Sequence, residues 1–215
     1  MLIVGAKGFA KEILQYFHKK NLVNELVFYD DVSNDLPERL FNRFRIIRNL
    51  DEAKEYFAKV DNRFVLGVGN PKVRFDLQKR MELAGGHIVT VIVDSVEIGS
   101  YGVFIGEGST IMGGTIITND IIIGNSVLIN LNCTVGHDSK IGNYCDLSPG
   151  VHVSGHVEIG DFSSLGTGAV LIPNVKIGRN CIIGAGSVVT KDIPDNSVAV
   201  GVPAKVIKEV EPYNP

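Results

Sequence analysis

The feature that most constrains this chain is an aliphatic residue at every sixth position. The series begins at Ile105 and runs through Ile111, Ile117, Ile123, Ile129, Val135, Ile141, Leu147, Val153, Ile159, Leu165, Leu171, Ile177 and Ile183 to Val189. Ile, Leu and Val make up about a quarter of such a chain, so fifteen consecutive matches would arise by chance roughly once in a billion. The position two earlier holds small or modest residues, among them Ser109, Thr115, Cys133, Ser139, Cys145, Ser163 and Cys181, and glycine often follows the aliphatic residue. Alternation with period two turns both positions inward and the residue between them outward. A turn every six residues, with three hexads to a coil, predicts a triangular parallel β-helix with coils of 18 residues. Ile98 lies seven rather than six residues before Ile105, which predicts one extra residue near Tyr101-Gly102.

Residues 1–94 follow another rhythm. A short strand Leu2-Ile3-Val4 meets Gly5-Ala6-Lys7-Gly8 and then a helical spacing of Phe9, Ile13, Leu14 and Phe17. Strands are predicted at 25–29, ending in Asp30-Asp31, and at 64–68, ending in Gly69-Asn70; Pro71 opens a helix to about Leu83, and 87–93 reads as a fourth strand. Alternating strands and helices imply a small parallel sheet covered by helices. A glycine turn before a helix N-terminus suits a phosphate, and an acid at the end of the second strand suits a ribose or base edge. The third glycine of a dinucleotide fingerprint is absent, Lys11 standing there, so the loop also reads as a plain tight turn.

Composition narrows the function. Lys and Arg number 21 against 24 Asp and Glu, a net charge of −3, which excludes a basic nucleic-acid binder. No apolar run approaches the roughly 18 residues of a membrane span, and the start of the chain lacks a basic segment followed by a cleavage site, so a cytoplasmic protein without membrane or nucleic-acid partners is expected. Cys133, Cys145 and Cys181 all take the inward slot and read as small core residues in a reducing compartment.

The repeat, together with the closing Gly201-Val202-Pro203-Ala204-Lys205, resembles the hexapeptide acyltransferases over residues 95–205. That resemblance implies a left-handed solenoid. With the small α/β domain in front, the whole chain resembles the bacterial nucleotide-amino-sugar N-acetyltransferases of the sialic-acid O-acetyltransferase-like group. The resemblance implies a nucleotide-sugar-binding domain at 1–94 and a β-helix acyltransferase domain with its tail at 95–215. It implies acetyl-CoA as co-substrate, no metal, and a homotrimer with the donor lying between neighbours. The matching substrate positions are Lys7, Gly8 and Phe9 in the glycine loop, Asp30 and Asp31 after the second strand, and Gly69 after the third. The implied nucleotide is UDP, carrying a 4-amino sugar. The family has a histidine where this chain has Phe9.

The segment from Asn130 to Asp138 matches the catalytic segment of the family and points to His137 as general base, with Asp138 fixing its tautomer. One coil along, 18 residues later, stands Gly155, whose missing side chain leaves room beside the imidazole and whose N–H is free for an oxyanion. His156 is the rival base; His152 lies on an outer face; His18 and His87 read as solvated. Donor-groove positions implied by the family are Asp146, where relatives carry a second histidine, Gly155, Thr167 and Ala185. Three other readings stand beside this one. They are O-acetylation of a sialic-acid-type sugar, a zinc enzyme resembling the γ-class carbonic anhydrases built on His137, His152 and His156, and a non-catalytic sugar-nucleotide scaffold.

Overall fold

A computed structural model describes residues 1–213 and 215. The chain forms two compact units, 1–69 with 73–89 and 90–215 with 70–72. Among the described residues no helix is long and apolar enough to cross a membrane.

The first unit is a twisted sheet between helices. Its elements are β1 (Leu2–Val4), α1 (Gly8–Lys19), β2 (Val27–Tyr29), β3 (Arg39–Leu40), β4 (Phe44–Ile47), α2 (Leu50–Lys59), β5 (Arg63–Leu66), α3 (Pro71–Leu83) and β6 (His87–Ile88). The order across the sheet is β3-β4-β2-β1-β5-β6, parallel except for the β3–β4 hairpin at the edge. Because the chain runs outward from β1 to β4 and then returns to β5, the crevice where the order reverses opens at the carboxyl ends of β1 and β5. All three residues of β1 and of β2 are buried, as continuous apolar strands covered on both faces must be. Helix α2 is started by Asn49, whose side chain accepts the Glu52 N–H at 2.9 Å. Helix α1 has no such cap: Lys7 precedes it with its side chain directed to Asp35 at 2.8 Å.

The second unit is the left-handed parallel β-helix. Two-residue strands, from Val91–Ile92 to Val188–Val189, stack in three parallel sheets, and partners lie 18 residues apart, as in Thr134↔His152 and Asp146↔Ser164. The aliphatic series is the core: every member from Ile111 to Val189 is buried, as are the small residues two positions earlier. Dispersion and burial along this column hold the coils together, and the hydroxyls in the small slots bond backbone carbonyls, as Ser139 Oγ does to Ser154 O at 3.1 Å. The second residue of each corner from Gly102 to Gly186 is left-handed, which glycine, Asn and Asp accept most readily. A different demand acts at Gly136. A Cβ there would come within 2.7 Å of the Gly155 N, so only glycine lets these two coils close.

One reading of the sequence is corrected and another is sharpened. The stretch 87–93 is not one strand: His87–Ile88 pairs with β5, whereas Val91–Ile92 pairs with Thr110–Ile111 as the first rung of the solenoid. The extra residue of the first coil is Ser100, since Gly99 sits over Thr118 while the Tyr101 N–H meets Asn119 at 3.3 Å. At the far end Ser197–Gly201 and Ala204–Glu209 close the solenoid as an antiparallel hairpin around the Gly201–Lys205 segment.

Candidate active site

One corner of the β-helix brings together side chains able to do acid–base chemistry. It follows Val135 in one coil (Gly136-His137-Asp138) and Val153 in the next (Ser154-Gly155-His156). The coils are fixed there by the backbone: the His156 N–H donates to His137 O at 2.8 Å and the Asp138 N–H to Asn119 O at 3.3 Å. Asp138 and His156 occupy left-handed positions, φ 59° and 58°, stacked one above the other. Asp tolerates this backbone through its short polar side chain, and His is among the other residues enriched in it.

Three side chains meet at this corner. His137 Nδ1 lies 2.7 Å from Asp138 Oδ2, His156 Nε2 lies 3.7 Å from the same oxygen, and the two imidazoles meet edge to face with centroids 5.1 Å apart. The hydrogen bond to His137 holds the Asp138 carboxyl below the ordinary carboxylate range, with His156 adding to the effect. An ionised carboxylate only accepts, so the proton of a neutral His137 sits on Nδ1 and its Nε2 carries the lone pair. That Nε2 lies over Gly155, where a Cβ would come within 2.7 Å of it. The room left by the glycine is therefore occupied by the ring rather than standing open beside it. Among the described residues the Gly155 N–H makes no hydrogen bond and is available to an oxyanion.

The remaining predicted residues fall elsewhere. His152 is exposed on an outer face, with Nδ1 3.0 Å from Thr134 Oγ1. It takes no part in the one group of metal-type donors found among the described residues, His137, Asp138 and His156, so the three-histidine zinc site is not formed within the chain. Asp146 is half-buried in the strand Asp146–Leu147 of another sheet, and Thr167 and Ala185 are exposed at the corner beyond that sheet. One chain therefore groups His137, Asp138 and Gly155, and leaves Asp146, Thr167 and Ala185 around the prism from them. The cysteines are buried and free, and burial pushes the Cys133 thiol up to about 11.

In the first unit the strand ends do converge. A cavity of about 280 Å³ at the reversal crevice is walled by Val4, Gly5, Tyr29, Asp30, Val32 and Val68 and by Val73, Asp76, Leu77 and Arg80 of α3. Gly5 is left-handed (φ 102°), and a Cβ on it would strike Gly67 O at 2.9 Å. Asp30 uses its carboxylate to accept the Ser33 N–H at 2.9 Å, shaping the loop, while Asp31 pairs with Arg80 and accepts from the Tyr29 hydroxyl at 2.9 Å. Lys7 and Gly8 are exposed and Phe9 half-buried in the first turn of α1. Arg74, almost fully buried, donates to Gly69 O at 2.9 Å. Arg74, Asp76 and Arg80 were not expected as site residues; nothing in local sequence distinguishes them from the exposed charges of a helix. Close packing of helix on strand, the task of the missing third glycine, falls to Gly67: a Cβ there would meet Ala10 Cβ at 2.7 Å.

Comparison with known proteins agrees with this fold. A family profile described as the PglD N-terminal domain matches residues 1–81, and one described as bacterial transferase hexapeptide (six repeats) matches 156–191. Among solved structures, WeeI from Acinetobacter baumannii is 30% identical, with 96% of this chain and 98% of that one covered, TM-score 0.84. A mutant of perosamine N-acetyltransferase from Caulobacter crescentus, in complex with CoA and GDP-perosamine, is 29% identical over 97% and 96%, TM-score 0.88. The acetyltransferase domain of PglB from Neisseria gonorrhoeae, in complex with acetyl coenzyme A, is 26% identical over 96% and 98%, TM-score 0.83. No protein in a search of curated sequences matches. The chain belongs to the hexapeptide-repeat nucleotide-amino-sugar N-acetyltransferases, and it is an acetyl-CoA-dependent acetyltransferase.

Proposed function

We propose that the protein transfers the acetyl group of acetyl-CoA to the 4-amine of a nucleotide-linked sugar, with His137 as general base. The observation that carries this is the His137–Asp138 pair at 2.7 Å with Nε2 turned away from the carboxylate and over Gly155. The amine nitrogen attacks the thioester carbonyl, Nε2 takes the proton that the nitrogen loses, and the Asp138 carboxylate stabilises the imidazolium. The oxyanion accepts from the Gly155 N–H. Collapse of the tetrahedral intermediate breaks the C–S bond, and the departing CoA thiolate receives the proton from His137. A hydroxyl acceptor would use the same base, so O-acetylation is the alternative chemistry.

Residues 1–94 take the nucleotide sugar in this reading. Support comes from the 280 Å³ crevice cavity and from the uncapped N-terminus of α1, whose first N–H groups attract phosphate. Lys7, Gly8, Phe9, Asp30, Asp31 and Gly69 surround or shape these two features, Asp31 by way of Arg80. The nucleotide is UDP by sequence resemblance; the GDP-perosamine held by the Caulobacter relative makes GDP the alternative. Residues 95–215 take the donor along Asp146, Gly155, Thr167 and Ala185. Since Asp146, Thr167 and Ala185 do not share a corner with His137 in one chain, a second copy must supply part of the groove, which supports a homotrimer with three sites. Buried free thiols in the core support a reducing, cytoplasmic location.

The test is a panel of UDP-, GDP- and dTDP-linked 4-amino sugars and their hydroxyl counterparts, incubated with acetyl-CoA and read by mass spectrometry. Acetylation of one amino sugar is the expected result, and light scattering should give a trimer. Acetylation of hydroxyl acceptors alone would move the assignment to O-acetyl transfer, and failure with every acceptor would favour a binding scaffold.

A further inference from the structure

The two imidazoles and the carboxylate of the active corner are also a donor set for a metal ion. One ligand atom from each of His137, Asp138 and His156 lies within 4.8 Å of the other two. A tetrahedral zinc ion with bonds of about 2.0–2.1 Å to nitrogen spaces its ligand atoms about 3.4 Å apart. His156 Nε2 already lies 3.7 Å from Asp138 Oδ2, and the 2.7 Å contact between Asp138 and His137 need open only slightly. The coil register stacks Asp138 and His156 at left-handed positions, which brings their side chains to one point of the corner. All three side chains are exposed, so an ion reaches them without rearrangement of the core. Two neutral imidazoles and one carboxylate suit zinc, nickel or copper; magnesium and calcium prefer oxygen throughout.

We propose that this corner binds a divalent transition-metal ion of the zinc type and that the bound ion switches the base off. The proposal rests on the reading of His137 as the base. The ion enters between His137 Nδ1 and Asp138 Oδ2, and His156 Nε2 is its third ligand, with water in the fourth position. The proton of His137 leaves Nδ1, which now bonds the metal, and resides on Nε2. A protonated Nε2 has no lone pair to receive a proton from the attacking amine. The exchange moves one proton within the ring and releases none. Since the ion sits on the side of the ring away from Nε2, it lowers kcat and leaves the KM of both substrates alone.

Cobalt(II) is the probe, because a tetrahedral site of nitrogen and oxygen ligands gives it intense visible bands. Titration of the full-length protein without substrates should yield one cobalt per chain, displaced by zinc and unaffected by magnesium. His156→Gln, checked for folding by circular dichroism, removes one ligand and should weaken binding at least about tenfold, the lower range seen for loss of supporting groups at metal sites. Zinc should then lower kcat at constant KM, reversibly with a chelator, when the acetylated product is followed by mass spectrometry rather than through CoA thiol, which itself binds zinc. Absence of the cobalt spectrum overturns the proposal, as does unchanged affinity in His156→Gln or inhibition that acts through the KM of the sugar nucleotide. An active wild type without a cobalt spectrum refutes the metal site alone; an active His137→Ala variant refutes the base and with it the switch, and leaves the cobalt titration to judge the metal site.

Discussion

Two corners of the same solenoid are built on one backbone plan and serve opposite ends. The corner after Ile141 and Ile159 is closed by its own side chains. The Glu107 N–H donates to Asn125 Oδ1 at 3.0 Å, Asn125 N–H to Asn143 Oδ1 at 2.9 Å, and Asn143 N–H to Asp161 Oδ1 at 2.6 Å, each cap coming from one coil further on. Tyr144 and Phe162 then stack at 5.1 Å and nearly parallel, sealing it. The corner after Val135 and Val153 begins in the same way, with Tyr101 N–H capped by Asn119, and then stops. His137 stands where the next cap belongs and Gly155 where the one after it belongs. Among the described residues the N–H groups of Asn119, His137 and Gly155 make no hydrogen bond. At this corner the missing caps leave backbone donors beside His137 and give its imidazole a bare backbone at Gly155 to lie against.

If that is the distinction, abolishing the base should cost the most. His137→Ala should reduce kcat by about 10²–10⁴, the span of general-base catalysis, while circular dichroism and the melting temperature stay near wild type because the side chain is exposed. Unchanged turnover would remove His137 from the mechanism. Next comes conversion of the open corner into the closed one. Gly155→Asn installs the missing cap for the His137 N–H, at a position whose backbone is not left-handed. Its Cβ takes the place of the ring, which must swing away; displacement of a reacting group by about 1 Å costs about a hundredfold in kcat. Stability should hold or rise. A fully active Gly155→Asn enzyme would show that the unfinished ladder has no bearing on catalysis.

The difference between the corners was only partly legible beforehand. Period six reveals the solenoid because each aliphatic residue has one inward destination, and an offset of 18 places Gly155 next to His137 and His156 next to Asp138 in the following coil without any tertiary calculation. The β3–β4 hairpin escaped because its turn residues, Phe41 and Asn42, are left-handed without being glycine, which removes the usual signal. The ion pair of Arg80 with Asp31 joins residues 49 apart through the sheet, and no local pattern announces it. The inner slot of the β-helix was easier still: Cys133, Cys145 and Cys181 fall on the small-residue column and are buried there.

Smaller effects should separate structure from chemistry. Asp161→Ala uncaps the Asn143 N–H at the closed corner. Loss of the backbone bond and the weaker 3.3 Å bond from Asn143 Nδ2 costs about 1–2 kcal/mol, a fall in melting temperature of about 2–8 °C for a chain of this size, with kcat unchanged. A drop in kcat instead would mean that the two corners are coupled.

The smallest effect concerns a second comparison, between Asp138 and Asp31, two carboxyls both held below their ordinary range. Asp138 is exposed, so its depressed pKa serves the imidazole and adds nothing to stability that solvent would not screen away. Asp31 differs. Partial burial pushes its carboxyl up, but hydrogen bonds from Arg80 and Tyr29 outweigh burial and hold it down, while burial and the Asp31 charge push the Tyr29 hydroxyl up to about 12. A carboxyl depressed in the folded state contributes stability above its unfolded value near 3.9, lost as pH falls through the folded value. A hydroxyl raised in the folded state contributes stability below its unfolded value near 10, lost as pH climbs toward 12. Urea titrations of the first unit should therefore show Asp31→Asn less stable than wild type on a plateau between these limits. The gap should narrow as pH falls below 4 and close once pH passes the depressed folded value, where the wild-type carboxyl is protonated as well. A gap that persists in acid would assign the loss to packing around Arg80 rather than to charge.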